Sequence, residues 1–329
     1  MGKGLLTIDG ISWAEVWNNS LIPGIERYNQ YDQTDIEVLL AAPRDEKRSQ
    51  YFIPNGNAFS EMGQLQRPDP QKMVRGYFQG FTKKFGTSYG YTFDWLKDAT
   101  SNDIEALQAD ILRQDRDNKR NVILKAGLYT STDGFWNGSF ETAPSEGITT
   151  PPSYGQNTFN ANHSHYIGTA QTTILLTEVA DWRQHIREHG FQGPIVGFIN
   201  STDSKAIAKA LLPTTSGVEV SNPLTNFVSL NGYIGRAGGV DWTETEWVPS
   251  GYVLLFATAL GAGSDSAKPV RLIEPTNPSF RGLIIIPGEN PQYPIINSYY
   301  LRYLGAKVLH RGAGVAVKLG NATYSNPTI

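Results

Sequence analysis

Residues 185–189 read His-Ile-Arg-Glu-His, a spacing that can bind a catalytic metal ion. Two histidines four residues apart on a helix share one face and can bind one zinc ion, with the glutamate as the general base of a metallopeptidase. The pattern directly precedes Gly190, where we expect the helix to end, and the helix dipole favours basic residues in a last turn. We therefore prefer ordinary residues at a helix C-terminus, and keep a zinc metallopeptidase through His185, Glu188 and His189 as an alternative.

Two other kinds of segment could take part in chemistry, but their sequence signals are weaker. His163 and His165 alternate along the chain and would face one side of a strand, a spacing that metal sites also use, but we favour a structural role for this pair. The glycine-rich stretches 235–239 and 312–314 lack the Lys-Ser/Thr pair of a phosphate-binding loop, and we predict tight turns there. The sequence thus predicts no catalytic residue, no cofactor and no bound metal.

Composition narrows the function classes. The chain has 329 residues, of which 40% are hydrophobic, enough for about two ordinary domains with real cores. A formal net charge of −3 argues against a dedicated nucleic-acid binder, and the absence of cysteine excludes disulfides and thiolate chemistry. The start lacks a signal-peptide core and a myristoylation pattern, and no apolar run of membrane-spanning length occurs, so we expect a cytosolic origin.

The first ninety residues look unlike a compact domain. Residues 1–35 cannot bury enough apolar surface alone, and we expect them to be either frayed or strapped onto another part of the protein. A strand is predicted at 36–42, followed by about thirty residues with little periodicity. Tyr51-Phe52-Ile53 before the turn signal Pro54-Asn55-Gly56 indicates one arm of a hairpin, with the return strand within 74–93. The segment is either a floppy surface loop or an arm that needs a neighbouring molecule.

The clearest element is a long helix over about 102–126. Asn102 as N-cap with Glu105 makes a capping-box-like start, and Gly127 a stop. Its middle is almost wholly polar, with Arg113–Asp117 and Asp115–Lys119 at i,i+4 spacing. We expect either a solvated face or a rod that crosses a sheet while its charges meet neighbours.

The rest of the chain mixes helices and strands. We predict helices at 174–189 and from Thr202 or Asp203 to about residue 212, and strands at 195–199, 227–234, 252–258, 283–286 and 315–319. Residues 295–304 fit either a helical face or a strand. The class is α+β.

The C-terminal third carries a family resemblance. The stretches 232–241, 247–252, 268–283, 287–290 and 293–294, then Tyr299-Tyr300 and 305–317, resemble the major capsid proteins of tailed bacteriophages. So do 163–166 and the helical region 110–129, and the likeness is roughly continuous over 90–320. The resemblance rests on the length of the similar region and on the order of its stretches along the chain, rather than on one short motif.

This resemblance implies the Hong Kong 97-type capsid fold, an α+β fold with an N-terminal arm, an extended β-hairpin loop, a peripheral domain with a long spine helix, and an axial domain with a mixed sheet. The expected boundaries are 1–42 for the arm and first strand, 43–90 for the loop and 91–194 for the peripheral domain. The spine helix is 102–126, residues 290–329 complete the peripheral domain, and 195–289 form the axial domain.

The resemblance also implies a structural function and no enzyme. Copies of the chain would form the hexamers and pentamers of a closed icosahedral shell that encloses packaged double-stranded DNA. The expected partners are the chain itself, cement or decoration proteins, portal and scaffold, with non-specific DNA contact and no membrane. The expected location is the virion capsid, assembled in the host cytoplasm. An encapsulin-type nanocompartment shell and a tail-tube or baseplate component are the alternatives.

We predict two groups of subunit-interface residues. The loop group is Arg44, Lys47, Arg48, Tyr51, Phe52, Ile53 and Phe59, and the spine-helix group is Arg113, Asp115, Asp117, Lys119 and Arg120. Some relatives crosslink a loop lysine to an asparagine of a neighbour, and Lys72, Lys83 and Lys84 lie in or near that loop.

Overall fold

The computed structural model describes residues 7–31, 33–45, 49–53, 74–78, 81–130, 163–211, 214–215, 218–219, 232–258, 268–289, 295–308 and 312–329. It holds two large sheets, of five and six strands, with a long helix packed against both. Within these ranges no helix has the length and apolar character needed to cross a bilayer.

The N-terminal segment is helical. Helix α1 (Trp13–Val16) leads through a π-helical turn (Trp17–Leu21) into α2 (Ile22–Tyr31), and α3 (Asp35–Leu40) follows. The strand predicted over 36–42 is wrong for its first five residues. Thr34 and Glu37 form a capping box that starts α3, and this local signal outweighs the β-propensity of the segment. Strand β1 begins only at Ala41 and runs to Asp45.

The long helix α5 spans Ser101–Leu128 and follows the short helix α4 (Phe93–Asp98). Its existence and approximate bounds are confirmed, but the capping residues predicted at both ends are wrong. The N-cap is Thr100, whose side chain forms a capping box with Asp103 rather than the expected Asn102–Glu105 pair. Gly127 does not end the helix. A Cβ there would lie 3.1 Å from Leu254 Cδ2, so this glycine allows close packing on a buried strand.

The five-stranded sheet is built around β14 (Ile295–Val308), which is a strand throughout. Its first part lies between β13 (Leu283–Glu289) and β4 (Lys83–Thr92), and its last part pairs with β12 (Val270–Glu274). Strand β1 adds to β12 in parallel. The ambiguous stretch 295–304 is a strand because both of its backbone edges are hydrogen-bonded to neighbouring strands.

The six-stranded sheet has the order β5-β15-β11-β6-β10-β9. These strands are β5 (Tyr166–Gly168), β15 (Gly314–Lys318), β11 (Tyr252–Ala257), β6 (Ile195–Ile199), β10 (Val240–Glu244) and β9 (Tyr233–Ala237). The strands predicted at 195–199, 252–258, 283–286 and 315–319 are confirmed to within a few residues. Of the strand predicted at 227–234, residues 227–231 lie outside the described part, and the described strand starts at Tyr233.

Helix α6 (Leu176–Arg187) packs on this sheet, and α7 (Ser201–Leu211) follows β6. The N-terminal turn of α7 is closed by Asn200, whose Oδ1 accepts a hydrogen bond from the Thr202 amide at 3.0 Å, rather than by Thr202 or Asp203 as predicted. A short hairpin, β7 (Thr214–Thr215) with β8 (Val218–Glu219), lies beyond α7.

The pairing divides the chain differently from the expected domains. Strands β12 and β13, expected in an axial domain 195–289, belong to the sheet of β4 and β14. Strands β5 and β15 and helix α6, expected in the peripheral domain, belong with the six-stranded sheet. The boundaries differ because each sheet collects strands from distant parts of the sequence, whereas a linear reading groups neighbours.

Candidate functional site

A separate β-hairpin is the first candidate assembly element. Strand β2 (Ser49–Ile53) pairs antiparallel with β3 (Val74–Phe78) in a two-stranded sheet separate from the two large ones. The predicted hairpin arm at 51–53 is therefore confirmed for the backbone. A two-stranded hairpin is at best marginally stable in water on its own.

The predicted loop residues fall into three places. Tyr51, Phe52 and Ile53 lie in β2. Arg44 lies in β1, paired with Ile273, so the loop starts later than the expected residue 43. Lys47, Arg48, Phe59 and Lys72 lie outside the described residues. Lys83 and Lys84 lie in β4 opposite Leu304 and Tyr303.

Helix α5 is the expected spine helix, and its face towards the sheets (the inward face) carries buried charges. The Asp115 carboxylate accepts hydrogen bonds from Arg302 Nε at 2.7 Å and from the Tyr28 hydroxyl at 2.9 Å, and the two charged side chains are 6% and 5% exposed. Although burial lowers the pKa of Arg302, the charge of Asp115 and its hydrogen bond raise it on balance. One turn further on, buried Lys119 places Nζ 2.8 Å from Oε2 of Glu37 in α3.

The outward face of the same helix carries ion pairs that range from exposed to half-buried. Arg113 contacts Asp110 at 2.6 Å and Asp117 at 4.0 Å, and its side chain is 67% exposed. The hydrogen bond from Arg113 is the main reason why the pKa of Asp110 is lowered. Arg120 lies 3.4 Å from Asp117 and stacks over Trp247, with its guanidinium carbon 4.5 Å from the ring centre. All the predicted spine-helix residues thus meet a partner group within the chain, and their contact with a second subunit stays a prediction.

The N-terminal segment is strapped onto its own body from residue 7 onward. Asp9 accepts hydrogen bonds from the Ser101 hydroxyl at 2.6 Å and the Ser101 amide at 3.1 Å, which lowers its pKa from 3.8 to about 2. Gln108 of α5 donates to the Leu21 carbonyl at 2.6 Å. Asn29 exchanges two hydrogen bonds with the backbone of Leu283 in β13. In these described residues, the expected arm is a strap on the spine helix and the five-stranded sheet.

Four of the five histidines of the chain lie in or beside one cluster, which the sequence reading did not foresee. His189 Nε2 lies 2.9 Å from His165 Nε2 and 3.0 Å from His163 Nε2. Glu188 Oε1 lies 3.2 Å from His163 Nε2 and 3.4 Å from His185 Nδ1. The two pairs stand out in the sequence separately, but nothing in it shows that the approach to β5 and the end of α6 come together.

The burial of the cluster affects its protonation. Burial, reinforced by the charge of His189, lowers the pKa of His165 well below its ordinary 6.5, and burial also lowers that of His163. Burial raises the pKa of Glu188. Both shifts favour the neutral form of these two rings.

The helical metallopeptidase arrangement is not formed. Helix α6 ends at Arg187, Glu188 is its C-cap, and Gly190 has a left-handed φ of 88°, so His189 lies beyond the last turn. His165 is fully buried, which leaves no room for a peptide substrate at that ring. Residues 86–90, Gly-Thr-Ser-Tyr-Gly, have the Gly-x-Ser-x-Gly spacing of a serine-hydrolase nucleophile. Ser88 lies inside β4, paired with Tyr299, and not on a strand-to-helix turn.

Comparison with solved structures identifies the fold. A chain of Mycobacterium phage Patience matches with a TM-score of 0.69 at 23% identity, over 99% of this chain and 94% of that chain. A chain from the mature capsid of bacteriophage PhiM1 matches with a TM-score of 0.51 at 10% identity, covering 88% of each chain. The capsid of a native GTA particle gives 0.51 at 12% identity, over 86% of this chain and 89% of that chain.

No family model and no curated protein matches the chain. The structural similarity confirms the expected α+β capsid fold of the Hong Kong 97 type and, as a fold, the resemblance to tailed-phage capsid proteins.

Proposed function

We propose that this chain is the major capsid protein of a tailed double-stranded DNA bacteriophage, and that its copies assemble into an icosahedral shell around the packaged genome. The observation that carries the proposal is a capsid fold that extends over almost the whole chain. The chain is then a structural protein of the virion, assembled in the host cytoplasm, and not an enzyme.

The hairpin supports self-assembly. A two-stranded sheet gains little stability by itself, and a second molecule lying against it would add buried surface. The sequence of β2 includes Tyr51, Phe52 and Ile53, which are residue types that favour strands and apolar contacts. We propose that these residues anchor the hairpin on a neighbouring subunit, with Arg44, Lys47 and Arg48 in polar pairs and Phe59 as a further anchor.

The outer face of the five-stranded sheet offers a second surface to cover. Ile286 and Tyr299 are directly opposite each other on β13 and β14, and each is 42% exposed. An exposed apolar cross-strand pair is a surface that a neighbouring subunit can bury. Repeated contacts of this kind, each weak, become strong together when a ring of subunits closes.

The charge balance suits contact with packaged DNA. A formal charge of −3 gives the chain no overall attraction for phosphate, so DNA entering the shell would not be trapped on its wall. We propose non-specific DNA contact only. Hexamers and pentamers of this chain form the shell, and portal, scaffold and cement or decoration proteins are its further proposed partners.

The test compares the full chain with a variant in which residues 49–78 are replaced by a short glycine-serine linker. This change removes the hairpin but leaves β1 and β4 in place. We expect closed shells from the full chain by negative-stain electron microscopy, and a soluble monomer with unchanged far-UV circular dichroism of the body from the variant. Normal shells from the variant would contradict the role of the hairpin.

The contents of particles purified from infected or expressing cells test the rest of the proposal. A high ratio of absorbance at 260 to 280 nm, removed only after the shell is opened to nuclease, supports enclosure of a genome. Shells that hold a protein cargo and no nucleic acid would instead show an encapsulin-type compartment, and open tubes or rings would show a tail component.

A further inference from the structure

We propose that His163, His165 and His189 bind one zinc ion through their Nε2 atoms, and that this ion is a structural clip at the edge of the six-stranded sheet. The inference goes beyond shell formation, because it concerns a ligand of the single chain. The three side chains come from the approach to β5 and from the residue that follows the C-cap of α6.

The geometry of the ring nitrogens is the first argument. The Nε2 atom of His189 lies 2.9 and 3.0 Å from those of His165 and His163, and each of the three rings has a nitrogen within 4.8 Å of the other two. A tetrahedral zinc ion with Zn–N bonds of about 2.0–2.1 Å places its ligand nitrogens about 3.3–3.4 Å apart. His189 Nε2 therefore needs to separate from the other two nitrogens by only a few tenths of an ångström to share the ion with them.

The hydrogen bonding of His165 is the second argument. Its Nδ1 lies 2.7 Å from the Gly314 carbonyl oxygen, which can only accept, so Nδ1 carries the proton and the Nε2 of the neutral ring presents a lone pair to the cluster. A backbone carbonyl that holds the far nitrogen of a histidine is the usual outer support of a metal ligand. The histidine thus has the tautomer that zinc requires.

The convergence on His189 Nε2 is the third argument. Two ring nitrogens approach this one atom, and a single N–H on it cannot point well at both. A cation between the rings satisfies all three lone pairs at once. Neutral imidazole suits zinc among the divalent metals, whereas magnesium and calcium select oxygen ligands.

Neighbouring groups fit the same site. Glu188 Oε1, 3.2 Å from His163 Nε2, places a carboxylate beside the ion and offsets its charge. Gly312 has a left-handed φ of 78°, and a Cβ there would meet the His189 ring at 2.7 Å, so the glycine turn before β15 leaves space for this ligand. His165 and His189 are buried, which shields their side of the ion from a substrate and favours a structural role for it.

The ion would stabilise the β5 edge of the six-stranded sheet, which has few other contacts in the sheet. Strand β5 has three residues and pairs only with β15 in the described sheet, and the cluster links its approach to the end of α6. Metal binding to the folded state alone stabilises it in proportion to the affinity and the free metal concentration. The expected result is a higher melting temperature with zinc than without it.

The test measures metal in the full chain, expressed without a histidine tag and purified without chelator. We expect about one zinc per chain by inductively coupled plasma mass spectrometry. His163→Ala and His189→Ala should lower the zinc content by about tenfold or more. Glu105→Ala, at an exposed position of α5, is the control and should retain the metal.

A second measurement on the unaltered chain avoids variants that fail to fold. We expect 1,10-phenanthroline to lower the melting temperature, Zn²⁺ to restore it, Mg²⁺ to have no effect, and Co²⁺ to give the visible bands of a tetrahedral site. A chain that holds no zinc, and whose melting temperature does not respond to added Zn²⁺, would overturn the proposal. Both readouts work on unassembled chain, so they are independent of whether shells form.

Discussion

The two faces of the spine helix place their charged side chains in opposite environments. On the inward face, Asp115 and Lys119 are buried and pair with Arg302 and Glu37, which lie far away in the sequence. On the outward face, Arg113 and Asp117 pair along the helix itself, three or four residues apart, in contact with water. A polar run in a helix is therefore not evidence that the helix is solvated.

The difference has an energetic consequence. A buried charge that loses its partner is left without solvent, whereas an exposed one exchanges its partner for water. Asp115 fixes the place where α5 crosses β14, because its partner Arg302 lies in that strand. The inward charges thus specify the architecture of the chain, and the outward charges remain available for contacts with other molecules.

The largest expected effect follows from removing Asp115. Asp115→Ala leaves the guanidinium of Arg302 buried without a counter-charge, and we expect the free energy of unfolding to fall by about 3–5 kcal/mol. The measurement is urea unfolding of the unassembled chain, followed by tryptophan fluorescence.

The double variant Asp115→Leu with Arg302→Met sharpens the result. It removes both charges and keeps apolar volume, so it should recover most of the lost stability, because a buried ion pair is often no more stabilising than packed hydrophobic side chains. If Asp115→Ala costs no more than the substitution of an exposed pair, the contrast between the two faces is wrong.

The ion pairs on the outward face could be predicted from the sequence, whereas those on the inward face could not. The i,i+4 spacing of Arg113 and Asp117 predicts a contact that the structure forms at 4.0 Å. The same rule applied to Asp115 and Lys119 points along the helix, but these side chains pair with residues 187 and 82 positions away. Helical periodicity describes one element, and it contains no information about what packs against it.

The same limit applies to the sheets and to the histidines. Strands with a strong apolar pattern, such as 195–199 and 252–257, were predictable because both faces are buried. The order of those strands and the meeting of His163 with His189 depend on pairings between distant segments. Local capping signals also override propensity, as α3 shows, where a capping box starts a helix in a segment with strand-like residues.

Asp9, which is hydrogen-bonded to the start of α5, is an intermediate case, because it is an exposed carboxylate that accepts several hydrogen bonds. Hydrogen bonds from Ser101 and Thr7 hold the pKa of Asp9 at about 2, below its ordinary 3.8. Because the folded pKa is the lower one, the attachment is fully stabilised above about pH 4 and weakens as the pH falls from 3.8 towards 2. We expect hydrogen exchange at the Ile8 and Ser101 amides, corrected for the intrinsic rate, to accelerate over that range.

Asp9→Asn should remove most of this pH dependence, whereas Asp98→Asn, an exposed carboxylate at the end of the neighbouring helix α4, should leave it in place. Equal pH dependence in the unaltered chain and in Asp9→Asn would show that Asp9 is not the group that titrates.

The smallest expected effect on folding comes from the outward face. Arg113→Glu replaces an exposed side chain whose partners are themselves partly exposed, so the free energy of unfolding should change by less than about 1 kcal/mol. Shell assembly is the sharper measurement, because on our proposal this face is free to pair with charges of a neighbouring subunit. We expect a lower yield of shells from Arg113→Glu at unchanged stability, and a similar loss from the unaltered chain in high salt, which screens exposed pairs. Normal assembly of the variant, together with shells that do not respond to salt, would show that the outward charges interact only within their own helix. The comparison of the two faces would then stand for folding alone, with no consequence for the shell.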